Sequence, residues 1–433
     1  MVVTADQTTR EAGAGSEAPT TSAPTSIPRW AWFLATGVVA ALIRAWLSAD
    51  RVAFSNPDEA RYLAMARALG GEIDWSTGGL TYQPEISTLI APIHWVTSDP
   101  ETVHRLALLV NAVLGGGLAV LLAMLAAKIT RVSVAWCSAA ALLAACVPGT
   151  VAQTTWATPE VLAAVLFAAV LLATVRLVEH PGLARGLVLT TLFAASYVTH
   201  ARQGLLVPST LAVLAWLVYR RRLSIRDGVV LAGTLIVLTA LAHQYSSWVI
   251  DQTWVLEAED SRLDSVLDRA LRVVAILQTT LGMTWYQLVT TLGVVGLGAG
   301  VALAALSRRV TATGLVRRDA AVIAVHTLPV AALSAVFMSG RDDGIQRVAQ
   351  MVYGRYWEVI APPLVMLGVL HVVAAGRPEL RRAVGWTVGS NGRDRRPARV
   401  VARQRPRSGD RGAWIPRHRT ANPRPRALPA RSR

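Results

Sequence analysis

Charge is scarce in this sequence. Of 433 residues only 16% are Asp, Glu, Lys or Arg, against about 25% in soluble domains, which excludes a wholly water-soluble protein. Cysteine is almost absent. Cys137 and Cys146 lie nine positions apart in one apolar run, on opposite sides of a helix and about 13 Å apart. No disulfide can join them, and no thiol or metal chemistry is suggested. Lysine is represented by Lys128 alone, the other 42 cations being arginine. That bias, with the abundant Ala, Val and Gly, reflects GC-rich coding and carries no mechanism. Ionisable residues inside the apolar runs are few, Arg44, His326 and His371 being the clearest. An ion-coupled transporter is expected to place acids or histidines near the bilayer midplane, and no inverted repeat is visible.

What is present is apolar length. Hydrophobic residues make up 53% of the chain and the mean hydropathy is +0.41. A bilayer core takes about 20 helical residues, and ten runs approach or exceed that: Trp30–Leu47, Arg105–Ala127, Val132–Val147, Val161–Val178, Gly186–Thr199, Leu205–Tyr219, Gly228–Val249, Tyr286–Leu306, Asp319–Met338 and Val359–Ala375. The expected fold is therefore an all-α polytopic membrane protein of about ten transmembrane helices, with interfacial helices in a long first outer loop. Every second connection is basic: Lys128 and Arg131, Arg176 and Arg185, Arg220 to Arg222 with Arg226, and Arg308, Arg309, Arg317 and Arg318. The positive-inside rule makes these cytoplasmic and predicts an integral plasma-membrane protein with both termini inside.

Residues 1–28 are rich in Ala, Thr, Ser and Pro and read as a disordered cytoplasmic leader. Residues 29–376 form the membrane domain. Residues 377–433 carry 17 arginines against Glu379, Asp394 and Asp410, so +14 of the formal +16 belongs to an Arg- and Pro-rich tail that reads first as a disordered cytoplasmic extension. A basic tail on a nearly neutral body does not describe a nucleic-acid-binding protein; anionic lipid is the partner its charge suits.

Polar chemistry gathers in the connections opposite the basic ones. The first begins Asn56-Pro57-Asp58-Glu59, followed by Tyr62, Met65, Ala66 and Leu69 on one face and then Gly70-Gly71. This is the grammar of a capped surface helix, in which the acids also suit the helix dipole. A second apolar stretch runs from Pro84 through Pro92 to His94 and Trp95. An acid follows a potential cap again at Thr158-Pro159-Glu160. Thr199-His200-Ala201-Arg202-Gln203-Gly204 closes the fifth run, and Tyr353-Gly354-Arg355-Tyr356 precedes the last. Arginine at a membrane interface either snorkels or grips a phosphate through its planar fork. The connection 250–285 has Leu263, Val266, Leu267, Ala270, Leu271 and Val274 at helical spacing, which predicts an interfacial helix covering the outer face.

Taken together, in this order and on one side, these motifs resemble the GT-C superfamily of polyprenyl-phosphate-sugar-dependent membrane glycosyltransferases, the relatives of protein O-mannosyltransferases and aminoarabinose transferases. The resemblance covers roughly Trp30 to Ala375. It implies an enzyme that moves a hexosyl or pentosyl group, with inversion, from a polyprenyl-phosphate donor to an acceptor hydroxyl of a cell-envelope glycan, lipid or protein. It implies Asp58 as general base with Glu59 as its neighbour or substitute, and Glu160 as a second acid supporting the acceptor or a divalent ion. Arg202 and Arg355 would hold the donor phosphate, beside Tyr62, Tyr353 and Tyr356. Any metal would be Mg or Mn, the ions that oxygen ligands favour; independence of metal is equally compatible. The sequence departs from many members in showing no soluble outer domain after the last run. A lipid-linked-sugar flippase, which would use the same arginines without a base, and a catalytically silent membrane scaffold are the alternatives.

Overall fold

The computed structural model of the chain describes residues 27–51, 57–72, 83–252, 272–307, 316–339 and 354–375. All belong to the first of two compact units, Met1–Gly389 and Ser390–Arg433. The expected leader up to residue 26, Asn56, Tyr353, residues 253–271 of the expected covering helix and the arginine tail lie outside the described residues.

The described residues form fourteen α-helices: α1 Arg29–Ser48, α2 Pro57–Leu69, α3 Glu85–Ile90, α4 Pro100–Ile129, α5 Val134–Ala145, α6 Pro148–Thr154, α7 Glu160–Glu179, α8 Leu183–Thr199, α9 Leu206–Tyr219, α10 Ile225–Gln252, α11 Val273–Thr290, α12 Val294–Leu306, α13 Arg317–Met338 and α14 Ala361–Ala374. Short 3-10 helices stand at Ala91–Trp95, Ala201–Leu205 and Gly354–Tyr356. Five helices are long and apolar enough to cross a membrane, and two bent pairs raise the number to seven. Three shorter apolar helices fill the fifth, sixth and tenth runs. Every expected run is thus occupied by helix, and by length and composition alone five to seven spans are long and apolar enough to cross.

Two runs depart from a single straight helix. The third is α5, which ends at Ala145 and turns by 64° into α6, with Pro148 as the first residue of the new helix. Proline suits that position because the amide it lacks would be unpaired there anyway. The eighth run begins earlier than its hydropathy suggests. Residues 273–285, expected in an outer loop, are already helix α11, which breaks after Thr290 and turns by 117° into α12. The cause is local: Leu292 and Gly293 both take positive φ, 51° and 80°, and the Gly293 amide donates back to the Leu288 carbonyl at 2.7 Å. Glycine takes up that left-handed conformation without steric penalty.

Packing follows membrane rules, in which close approach replaces the hydrophobic drive. Helix α7 is central and buried on nearly all sides, whereas α10 is peripheral. α12 and α14 cross with their backbones in contact at Gly298 and Gly368; a Cβ on Gly298 would collide with the Leu364 carbonyl. His326 of α13 bonds through Nδ1 to Ser209 Oγ at 2.8 Å and through Nε2 to Thr174 Oγ1 at 3.1 Å, a polar cross-link among α13, α9 and α7.

The bundle has two different ends. At one, the Val316 amide donates to the Ile129 carbonyl (2.8 Å), Lys128 pairs with Glu179 (2.9 Å), and Arg222 donates to the Glu179 carbonyl (3.1 Å). The basic connections after α4, α7, α9 and α12 therefore share this end. The starts of α2 and α7 and the 3-10 helix Gly354–Tyr356 meet at the other.

Candidate active site

Three residues far apart in sequence meet at that second end. Arg355 donates from Nη1 to Asp58 Oδ2 at 2.6 Å and from Nε to Glu160 Oε1. One guanidinium thus spans two carboxylates from different helices, a pairing that its rigid fork allows and an ammonium does not. The side chains differ in access: Asp58 keeps 29% of its surface exposed, Arg355 9% and Glu160 3%. Asp58 is the one with an open side.

Each acid is placed by its helix. Asp58 and Glu59 occupy the first turn of α2, and consecutive residues point about 100° apart, so they cannot face the same partner. Glu59 turns inward and is fully buried. Its Oε1 accepts from the Ala157 amide at 2.7 Å and lies 2.9 Å from Nε2 of the buried His104 on α4. Glu160 is the first residue of α7, where a carboxylate also favours the helix dipole. Thr158 makes no capping bond there, so the cap expected from Thr158-Pro159-Glu160 is not formed. Tyr62 is buried on α2, and its carbonyl accepts from Ser87 Oγ at 2.9 Å, locking α2 to α3.

Sequence reasoning gave no role to a second layer beneath this cluster. Glu358, three residues after Arg355, is buried; Tyr286 of α11 donates to its Oε1 at 3.2 Å, and Gln153 of α6 also bonds it. Its niche exists because Gly149 has no side chain, since a Cβ there would strike the Glu358 carboxyl. Burial pushes the Glu358 carboxyl up to about 7, with Glu160 adding to the rise and the Tyr286, Gln153 and Arg355 contacts opposing it. Helix α6 is held in turn by Arg44, which is buried on α1 and donates to the Ala145 carbonyl at the end of α5 and to Thr154 Oγ1. Cation and helix C-terminus are complementary. An acid just before an apolar run was the available signal for Glu358; its partners were not visible because they come from other helices.

The remaining expected residues are placed as follows. Arg202 falls in the 3-10 helix Ala201–Leu205 at the end of α8. Tyr356 packs its ring edge-on against Phe337 at 6.0 Å. His94 pairs with Glu72 at 3.1 Å, so it fastens the first connection together. An apolar cleft of about 240 Å³ lies among α11, α12, α13 and α14, lined by residues including Leu288, Ala299, Leu303, Leu328, Ala331 and Trp357.

The site can be tested as a place for a divalent cation. Asp58 and Glu160 already accept from Arg355, whose positive charge stands between them. Among the described residues no three His, Cys, Asp or Glu side chains converge on a point that would take a metal. The described residues by themselves do not fit such an ion, and the chemistry below is built from side chains alone.

A helical bundle with membrane-length apolar spans and a largely buried carboxylate–guanidinium cluster defines an all-α integral membrane protein with a polar site at one end of the bundle. No protein-family model and no curated protein sequence matches the chain. Among solved structures it is similar to ArnT from Cupriavidus metallidurans bound to undecaprenyl phosphate, at 18% identity over 82% of this chain and 63% of that one, with a TM-score of 0.49. It is also similar to the oligosaccharyltransferase AglB from Archaeoglobus fulgidus in complex with an inhibitory peptide and a dolichol-phosphate, at 14% identity, over 84% of this chain and 52% of that one, with a TM-score of 0.47. The chain thus spans less than two thirds of the length of either protein.

Proposed function

We propose that the protein is a membrane glycosyltransferase that takes a sugar from a polyprenyl-phosphate donor and passes it, with inversion, to an acceptor hydroxyl on the extracytoplasmic face. The observation that carries this reading is the convergence of Asp58, Glu160 and Arg355 from positions up to 297 residues apart. The positive-inside rule supports the orientation, since the basic connections gather at the opposite end. The apolar cleft supports a lipid-linked donor: it would suit a prenyl chain, and Trp357, which lines it, is two residues from Arg355 in the sequence.

In the reaction the acceptor oxygen bonds to the anomeric carbon, the bond from that carbon to the phosphate oxygen breaks, and the phosphate leaves on the lipid. Asp58 takes the hydroxyl proton. Arg355 balances the charge that grows on the leaving phosphate, and a preformed donor of this kind costs no reorganisation at the moment of reaction. A docking phosphate competes with Asp58 for Arg355 and so frees the carboxylate to act as base, while Glu160, more deeply buried, keeps the guanidinium in place. Glu59 is an anchor for α2 in this scheme rather than a substitute base, because His104 and Ala157 already occupy it. Arg202 and the tyrosines Tyr62, Tyr353 and Tyr356 remain candidates for donor contact.

The test is transfer from a radiolabelled polyprenyl-phosphate sugar to an envelope acceptor fraction. General-base catalysis is typically worth about 100-fold to 10,000-fold, so Asp58→Asn should lose turnover in that range while donor binding persists. Arg355→Lys keeps the charge but not the fork and should weaken donor use. Turnover of Asp58→Asn within about threefold of the parent protein would remove the base and with it the transferase reading.

A further inference from the structure

Glu358 is a buried acid beside Arg355 that has no part in the scheme above. Its oxygens are unequal. Oε1 is held by Tyr286 at 3.2 Å, and Oε2 is buried with no hydrogen-bond partner. The charged and titratable groups facing it come from three elements: Glu160 at the start of α7, Arg355 in the 3-10 helix, and the Tyr286 hydroxyl of α11. Asp58 is bonded to Arg355, and Arg44 is bonded to Thr154 and Ala145. Arg355 is therefore one cation among three carboxyl groups, already matched by Asp58 and Glu160. An incoming phosphate adds a further negative charge to a cluster with no spare cation among these residues.

We propose that Glu358 is a positioning residue that takes up one proton from solvent when the donor phosphate docks on Arg355, so that donor binding and protonation of this carboxyl are coupled. The inference rests on the donor reading given above. The proton goes to Oε2, the oxygen with no partner, and no bond other than that O–H forms in the step. Because burial has already brought this carboxyl up to about 7, acid and carboxylate forms are both populated near neutrality. An adjacent phosphate favours the acid form. By reciprocity the acid form favours the phosphate.

The experiment measures the dissociation constant of the purified, detergent-solubilised full chain for a short-chain prenyl-phospho-hexose between pH 5.5 and 8.5. This probe is a phosphodiester and does not itself titrate in that range. The parent protein should bind with constant affinity on the acid side and lose up to about tenfold per pH unit above 7, the limit for one proton taken up. Glu358→Gln, which keeps an oxygen for Tyr286 but cannot ionise, should bind at all pH values about as well as the parent does in acid. Should that variant fail to fold, Tyr286→Phe removes a bond that favours the charged form and should move the parent's break to higher pH. A parent affinity independent of pH, or a pH dependence that survives in Glu358→Gln or is unmoved in Tyr286→Phe, overturns the coupling. Failure of the parent to bind the probe at every pH overturns the donor reading, and the coupling with it.

Discussion

At the scale of single residues the site is a set of buried charges, and buried charges make a protein sensitive to small chemical changes. Glu59 and His104 illustrate this: His104→Ala leaves the fully buried Glu59 carboxylate with only the Ala157 amide. Leaving a buried polar group short of a partner costs about 1 to 3 kcal/mol and the emptied imidazole space adds a cavity cost, while Glu59→Gln keeps an acceptor for Ala157 and should cost about 1 kcal/mol. Thermal unfolding in detergent should rank His104→Ala below Glu59→Gln and both below the parent. The reverse order would deny Glu59 its anchoring role. Glu358 predicts a pH effect of definite sign. Its folded value near 7 lies above the ordinary glutamate value of 4.5, so the native state binds the proton more tightly than the unfolded chain does. Stability is then greatest below about pH 4.5 as far as this group is concerned, and is lost as pH rises toward 7, by about 3 kcal/mol in all. Glu358→Gln should therefore melt higher than the parent at pH 8, with the gap closing toward pH 5.

At the scale of elements, what positions the site is a chain of contacts through short helices. Arg44 holds α6 and the end of α5; α6 supplies Gln153 to Glu358 and room at Gly149; the segment after α6 offers its Ala157 amide to Glu59 and then begins α7 with Glu160. Gly115 contributes by omission, because a Cβ there would overlap the Arg44 side chain. The crossing of α12 and α14 is a second dependence of this kind. Gly298→Ala drives a methyl group into the Leu364 backbone, whereas Gly300 on the same helix faces open space. Overpacking typically costs about 1 to 3 kcal/mol, so Gly298→Ala should lower the melting temperature and Gly300→Ala should leave it unchanged or slightly raised. Equal behaviour of the two would mean that the helices do not touch there.

For the whole molecule the governing feature is the difference between the two ends of the bundle. Basic connections cluster around Lys128, Glu179, Arg222 and Val316, and the carboxylate–arginine cluster lies at the opposite end. Single cysteines placed at exposed positions of a chain lacking Cys137 and Cys146 should report this in intact cells. A cysteine at Val96 should react with an impermeant reagent, and one at Ser224 should react only after the membrane is opened. Labelling of Ser224 from outside would invert the orientation and place the site in the cytoplasm.

The sequence by itself determined that this is an all-α membrane protein, where its apolar runs lie and which connections share a side. Those properties are sums over local composition, and lipid imposes them on each segment separately. It also singled out Asp58, Glu160 and Arg355, because acids and arginines are conspicuous against so apolar a background. Tertiary structure alone gave Asp58 and Glu59 different partners, since a 100° step on α2 sends one to Arg355 and the other to His104 and Ala157. It alone showed the break at Leu292–Gly293, where hydropathy runs on without interruption but two residues of positive φ turn the chain. Glu358 likewise acquires its character only in the fold: Gln153 and Tyr286 reach it from α6 and α11, and Gly149 opens its niche. A carboxyl's proton affinity is set by what surrounds it in space, and no spacing along the chain encodes that.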